Sequence, residues 1–286
     1  MTDNYVLTLR CADRSGIVAS VASALAACGA NITEAHQYDD AVARRFFMRV
    51  AFDLPSGPSG VPPLQARLRE LDAVIGDQWA LRDAAAAKRA LIMVSKHDHC
   101  LIDLLYRTRI GEMNMQIVGV VSNHPLSALH AADFVGDLPF HHLPVTPATK
   151  PAQEAQIKQI VNDTQADLVV LARYMQILSD DLAGFLAGRC INIHHSFLPG
   201  FKGAQPYHQA HQRGVKVIGA TAHYVTGDLD EGPIIEQDVM AVTHADTPET
   251  LTRKGRDIER RVLSRAVIFH LQDRVLVNGN TTVVFR

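Results

Sequence analysis

The chain has 286 residues, 47% of them hydrophobic, with 28 Lys and Arg against 30 Asp and Glu. That is enough apolar material for one large core or two modest ones. The near balance of charge, without a basic tail, argues against nucleic acid as a partner.

The N-terminal MTDNYVLTLR lacks the charged, then apolar, pattern of a signal peptide, and the apolar runs are strand-length rather than membrane-spanning. The cysteines Cys11, Cys28, Cys100 and Cys190 show no CxxC spacing. A cytoplasmic chain without a disulfide framework, structural zinc or membrane association is expected.

Residues 5–83 carry the signals of a ferredoxin-like βαββαβ unit. YVLTLRCA alternates as a strand and DRSG (Asp13 to Gly16) turns the chain. Ile17, Val21 and Leu25 then recur every four residues, as one helix face requires, and Gly29 ends that helix. ANITEAHQY and RRFFMRVAF flank DDAVA as two antiparallel strands. PPLQARLRELDAVIG has helix punctuation at both ends, and DQWALRD supplies the last strand. After the linker AAAAK (84–88) the pattern changes. RALIMVS, MQIVGVVS, FHHLPV, DLVVLA and RCINIH are short apolar runs separated by helix-length segments, the mark of a mainly parallel sheet covered on both faces. A short helix near 206–213, strands VIGATAHYV and PIIEQDVM, and a long helix opened by Thr247-Pro248-Glu249 complete it. The division expected is 1–83, a linker at 84–88, and a Rossmann-like domain over 89–286.

Polar chemistry gathers where INIH runs out into HSFLPG. Residues two apart in a strand share a face roughly 7 Å apart, so Asn192 and His194 point one way and His195 the other. Asn192 offers donor and acceptor, and His194 exchanges a proton near neutral pH. Downstream, the loop after HYV carries Asp228, Asp230 and Glu231. An Asn, a His and an acid from neighbouring strand ends can hold an oxyanion and orient a nucleophile, which is acyl-transfer chemistry. His208 and His211 at i, i+3, with His194, His195 and His223, offer a metallohydrolase reading, but no HExxH is present and no metal is expected. Arg253, Lys254, Arg256, Arg260, Arg261 and Arg265, interleaved with Asp257 and Glu259, read as a solvated helix face.

INIHHSFLPGFKGAQPYHQA followed by GATAHYVTGDLDEGPIIEQDV resembles the folate-dependent formyltransferase family, and most of all its hydrolytic branch, the 10-formyltetrahydrofolate deformylases; the similarity spans residues 89–286. The resemblance implies Asn192, His194 and Asp230 as the catalytic trio. Met175, Gln176, Ile177 and Leu178 of LARYMQILS would contact the pterin, together with Val225, Gly227 and Asp228. Gln176 stands where the transferases place Arg. The N-terminal unit resembles an ACT domain, in which Asp13, Gly16 and Ile17 would frame an amino-acid effector and which commonly pairs edge to edge in homo-oligomers.

The family includes transferases to amines as well as the hydrolase. Glycinamide ribonucleotide formyltransferase follows its first strand with a Gly-rich loop, which lets backbone N–H groups approach a phosphate. Here SKHDHCLIDLL has no glycine from Ser95 to Leu105, a poor phosphate cradle whose side chains are expected to block an acceptor. The resemblance therefore implies hydrolysis of 10-formyltetrahydrofolate by water to tetrahydrofolate and formate, balancing one-carbon folates and supplying formate for purine synthesis. Folate is substrate and no cofactor is called for. The alternatives are formyl transfer to an amine, and a folate or amino-acid binding regulator without turnover.

Overall fold

The computed structural model describes residues 2–57, 61–200 and 206–286. The chain divides into two units.

In the first unit, β1 (Thr2–Ala12), α1 (Ile17–Ala27), β2 (Asn31–Asp40), β3 (Arg45–Pro55), α2 (Val61–Glu70), α3 (Asp72–Ile75) and β4 (Trp79–Asp83) follow in turn. The sheet runs β2-β3-β1-β4, every pair antiparallel. Period 2 along β1 turns Leu7, Leu9 and Cys11 to one face, where they meet Ile17, Val21 and Leu25 of α1 and Leu64 and Leu68 of α2. The single helix expected over 62–76 is two pieces that break at Leu71.

β3 is buried on both faces, and the face carrying Phe47, Arg49 and Ala51 also needs cover. It receives this from the end of the chain. β12 (Val275–Asn278) and β13 (Thr281–Val284) form a hairpin whose Leu276, with Phe285, packs on Phe47. Arg274 Nη2 donates to both Glu34 oxygens at 2.8 and 3.1 Å, and Arg49 Nε donates to the Gln272 carbonyl at 3.0 Å. Residues Gln272–Asn278 and Val283–Arg286 therefore group with the first unit rather than with the larger domain to which 89–286 assigned them.

The second unit holds β5 (Lys88–Val94), α4 (His99–Arg109), β6 (Met115–Ser122), α5 (Ala132–Val135), β7 (Phe140–His142), α6 (Lys150–Asp163), β8 (Leu168–Leu171), α7 (Asp180–Phe185), β9 (Cys190–His194), α8 (Pro206–Arg213), β10 (Val217–Tyr224), β11 (Ile234–Ala241) and α9 (Pro248–Leu271). Its sheet runs β11-β10-β9-β8-β5-β6-β7, parallel from β9 to β7, with β10 and β11 antiparallel at one side. Ile157 and Val161 of α6 cover one face, and α9 packs along β9, β10 and β11 on the other. After β5 the chain builds β6 and β7 outward, then returns to place β8 on the other flank of β5. The carboxyl ends of β5 and β8 thus flank a topological switch point, where open α/β sheets bind ligands.

Candidate active site

Asn192 and His194 lie two residues apart on β9, with Leu171 beside Asn192 on the parallel neighbour β8. On the antiparallel neighbour β10, His223 faces Asn192 and Thr221 faces His194. The strand then ends, and the SFLPG segment is tied down. Thr221 Oγ1 donates to the Ser196 carbonyl and accepts from Leu198 N, both at 3.0 Å. Gln237 Nε2 donates to Thr221 Oγ1 at 2.9 Å and to the Leu198 carbonyl at 3.2 Å. Residues 201–205, the next part of the expected loop, lie outside the described residues.

Asp230 comes from the loop between β10 and β11. Its φ is 57°, a left-handed conformation that Asp tolerates better than most side chains. Gly232 shapes the return: a Cβ there would lie 1.8 Å from the Tyr224 carbonyl oxygen. Asp230 Oδ2 is 3.2 Å from His194 Nδ1, and Oδ1 is 3.6 Å from His223 Nε2. Burial works to raise the Asp230 carboxyl, but its contacts with His194 and His223 outweigh that and hold it well below the ordinary carboxylate range.

His223 is a fourth member that strand-end reasoning treated only as a metal ligand. Its Nδ1 donates to the Tyr224 carbonyl at 2.9 Å, and its Nε2 lies 3.3 Å from Asn192 Nδ2 and faces Asp230. The Asn192 amide is thereby oriented. His194 Nε2 is buried without a hydrogen-bond partner, so Nδ1, beside Asp230, is the chemically engaged nitrogen.

These groups open on a cavity of about 340 Å³ lined by Leu171 and residues from Arg173 to Leu178, from Asn192 to His195, His223, and from Val225 to Asp230. Met175, Gln176, Ile177, Leu178, Val225, Gly227 and Asp228 are all on its wall. Met175 and Ile177 are 52% and 60% exposed, large apolar side chains left without cover. Their loop is braced from beneath. Met175 N donates to Ser95 Oγ at 2.9 Å, Gln153 Nε2 to the Tyr174 hydroxyl at 2.7 Å, and Ser179 N to Glu154 Oε1 at 2.9 Å.

His195 also lines the cavity, and alternation does not keep it on the far side because β9 has ended at His194. Burial, and then the Arg173 charge, push it down to about 3, which keeps it neutral. Glu259, expected among the solvated charges of α9, is 1% exposed. It accepts from His99 Nε2 at 2.8 Å and from the Tyr207 hydroxyl at 2.6 Å. Among the described residues, the group of His, Cys, Asp and Glu with ligand atoms within 4.8 Å of one another is His99, Cys100 and Glu259, not the histidines weighed from sequence.

In the first unit Asp13 and Gly16 are exposed, whereas Ile17 is a core side chain. Gly16 precedes α1 at φ 91°, a conformation that favours glycine.

The formyl transferase family model matches residues 88–267, and the ACT domain model matches residues 5–69. Formyltetrahydrofolate deformylase of Corynebacterium sp. (strain P-1) is 49% identical over 282 residues, covering 99% of this chain and 98% of its own. The chain belongs to the formyltetrahydrofolate deformylase family. A crystal structure of formyltetrahydrofolate deformylase from Burkholderia mallei ATCC 23344 superposes with a TM-score of 0.89 at 49% identity, over 99% of this chain and 100% of that one. That from Pseudomonas putida KT2440 gives 0.92 at 47%, over 99% and 100%. Similarity thus runs through both units. Among the described residues, no helix is long and apolar enough to cross a membrane.

Proposed function

We propose that this chain is a cytoplasmic hydrolase that converts 10-formyltetrahydrofolate and water to tetrahydrofolate and formate. The observation that carries the reading is the convergence of Asn192, His194 and Asp230 on one cavity in a chain of this family. The pterin lies along residues 175–178, where the exposed Met175 and Ile177 offer apolar surface to a flat ring, with Gln176, Leu178, Val225, Gly227 and Asp228 around it. Asp230, ionised throughout the neutral range, orients the attacking water and receives its proton. The Asn192 amide and the His194 Nδ1–H stabilise the oxyanion that forms on the formyl oxygen. As the C–N bond breaks, the proton held by Asp230 passes to N10, and tetrahydrofolate leaves with formic acid, which ionises to formate by losing its proton to solvent. This route calls for no metal or cofactor.

Water as acceptor is supported by the entry to α4. There the buried Asp98 precedes the helix, its Oδ2 accepting from Ala131 N at 2.8 Å. A carboxylate at a helix N-terminus repels the phosphate that such a terminus otherwise attracts. Lys96, His97 and His99 do not fill the space beside it; they line a second cavity. The first unit serves as an ACT-type regulatory module, with Asp13, Gly16 and Ile17 framing an amino-acid effector. Its outermost strands, β2 and β4, offer edges for a homo-oligomer.

The test is Asp230→Asn, which keeps the left-handed backbone accessible but removes the charge. Turnover should fall on the order of a hundredfold or more with an unchanged circular dichroism spectrum. Near-normal turnover would remove Asp230 from the mechanism.

A further inference from the structure

The second cavity, about 380 Å³, lies at the switch point, between segments that follow β5, β6 and β8. It shares Arg173, Met175, Gln176 and His195 with the cavity of the catalytic trio, so the two adjoin. Arg173 is the group between them. Its backbone is left-handed at φ 67°, and its side chain is 9% exposed. Nε and Nη1 are buried with no hydrogen-bond partner, and Nε is 3.4 Å from the Glu259 carboxylate, too long to satisfy it. A buried guanidinium with unused donors is costly unless something accepts from it. Glu259, its neighbouring carboxylate, is engaged by His99 and Tyr207 and leaves Arg173 Nε and Nη1 without a hydrogen bond.

The charge around this cavity is mainly positive. Lys96, Arg173 and Arg256 line the cavity, and Glu259 is the one carboxylate among the described residues on its wall. His97 is lowered by burial and then by the Arg173 charge, with Arg256 acting the same way; His195 is lowered similarly. His97 and His195 are therefore neutral, and counting only Lys, Arg and Glu the wall carries an excess of two positive charges (three cations against one carboxylate) before any ligand arrives.

We infer that this second cavity is a carboxylate-binding site anchored by Arg173, with Lys96 and Arg256 at its rim, and that its occupant is formate released from the adjoining reaction centre. A carboxylate matches the planar fork of a guanidinium, and its single charge suits a buried cation with one shared counter-ion. The naming of formate rests on the proposed hydrolysis; the carboxylate site rests on Arg173 and the cavity.

Titration of the full-length protein with ¹³C-formate, read by NMR line broadening at constant ionic strength, tests the inference. Wild type should give saturable binding, weakened about tenfold or more by Arg173→Gln and by a smaller factor by Lys96→Gln. Arg173→Gln alone leaves Glu259 without its cation, so Arg173→Gln with Glu259→Gln is measured too, circular dichroism reporting folding. Should neither fold, Lys96→Gln with Arg256→Gln decides, and an unchanged affinity there overturns the site. So does formate binding retained in a folded Arg173 variant, or phosphate binding more tightly than formate. Displacement of formate by saturating tetrahydrofolate would overturn formate as occupant in favour of the glutamate carboxylate of folate. Arg173-dependent binding in a protein without folate turnover would sink the proposed function and leave the site standing. Full turnover without such binding would do the reverse.

Discussion

Gly232→Ala puts the geometry of Asp230 to a direct test. A Cβ at position 232 would sit 1.8 Å from the Tyr224 carbonyl oxygen, 2.9 Å from its carbon and 3.3 Å from His223 Nδ1. Non-bonded heavy atoms settle at about 3.5–4.0 Å, so one side must retreat by roughly 1.5 Å or more. Rotation of a side chain cannot relieve this, because the obstacle is backbone. The same carbonyl accepts from His223 Nδ1 at 2.9 Å, and Tyr224 N donates to the Pro233 carbonyl at 2.9 Å. The loop holding Asp230 is the part that moves. A misplacement of about 1 Å costs on the order of a hundredfold in rate, and overpacking costs about 1–3 kcal/mol in stability. Steady-state hydrolysis of 10-formyltetrahydrofolate should show kcat down about a hundredfold with a much smaller change in KM. Gly227→Ala is the control, since its Cβ would meet nothing nearer than Asp180 Oδ1 at 3.7 Å and should leave the fold intact. Wild-type turnover in Gly232→Ala would refute the claim that this close approach positions the carboxylate.

Two further predictions concern stability. A Cβ at Gly255 would fall 2.1 Å from the Tyr207 ring, so Gly255→Ala should cost about 1–3 kcal/mol by overpacking, and most of that cost should vanish in a Tyr207→Ala background; a thermal-unfolding double-mutant cycle with no coupling would contradict the packing. Glu34 is held at about 2 by the hydrogen bond from His36, with Arg274 and Arg49 adding to it against burial. A carboxyl lowered in the folded state stabilises above its ordinary pKa and loses that contribution as pH falls towards 2. The Tm gap between wild type and Glu34→Gln should therefore be full at neutral pH and narrow below about 4.5; a gap constant down to pH 3 would count against the network.

Much of this was legible because periodicity reports faces. Alternation along INIH put Asn192 and His194 on one side, and the four-residue recurrence of Ile17, Val21 and Leu25 marked a face that is buried. Other features depended on neighbours in space. His223 acts through its register opposite Asn192, and strand pairing is not written in either strand alone. Arg173 depends on a left-handed residue in a loop, which no sequence pattern demanded. Two omissions did have a signal. Glu259 sits on the stripe of Leu251, Gly255, Ile258 and Val262, the buried face of α9, so helical period marked it as inward. Asn278-Gly279 between VLV and TTVV is a hairpin signature at the chain's end.

The central claim is that water is the acceptor, and the source of the second formate oxygen tests it most directly. The enzyme would be run on 10-formyltetrahydrofolate in H₂¹⁸O, with no amine present and formate analysed by mass spectrometry. Hydrolysis at Asn192, His194 and Asp230 predicts one solvent oxygen in each formate, released in step with tetrahydrofolate. Formate without label, or no formate until an amine is added, would contradict it.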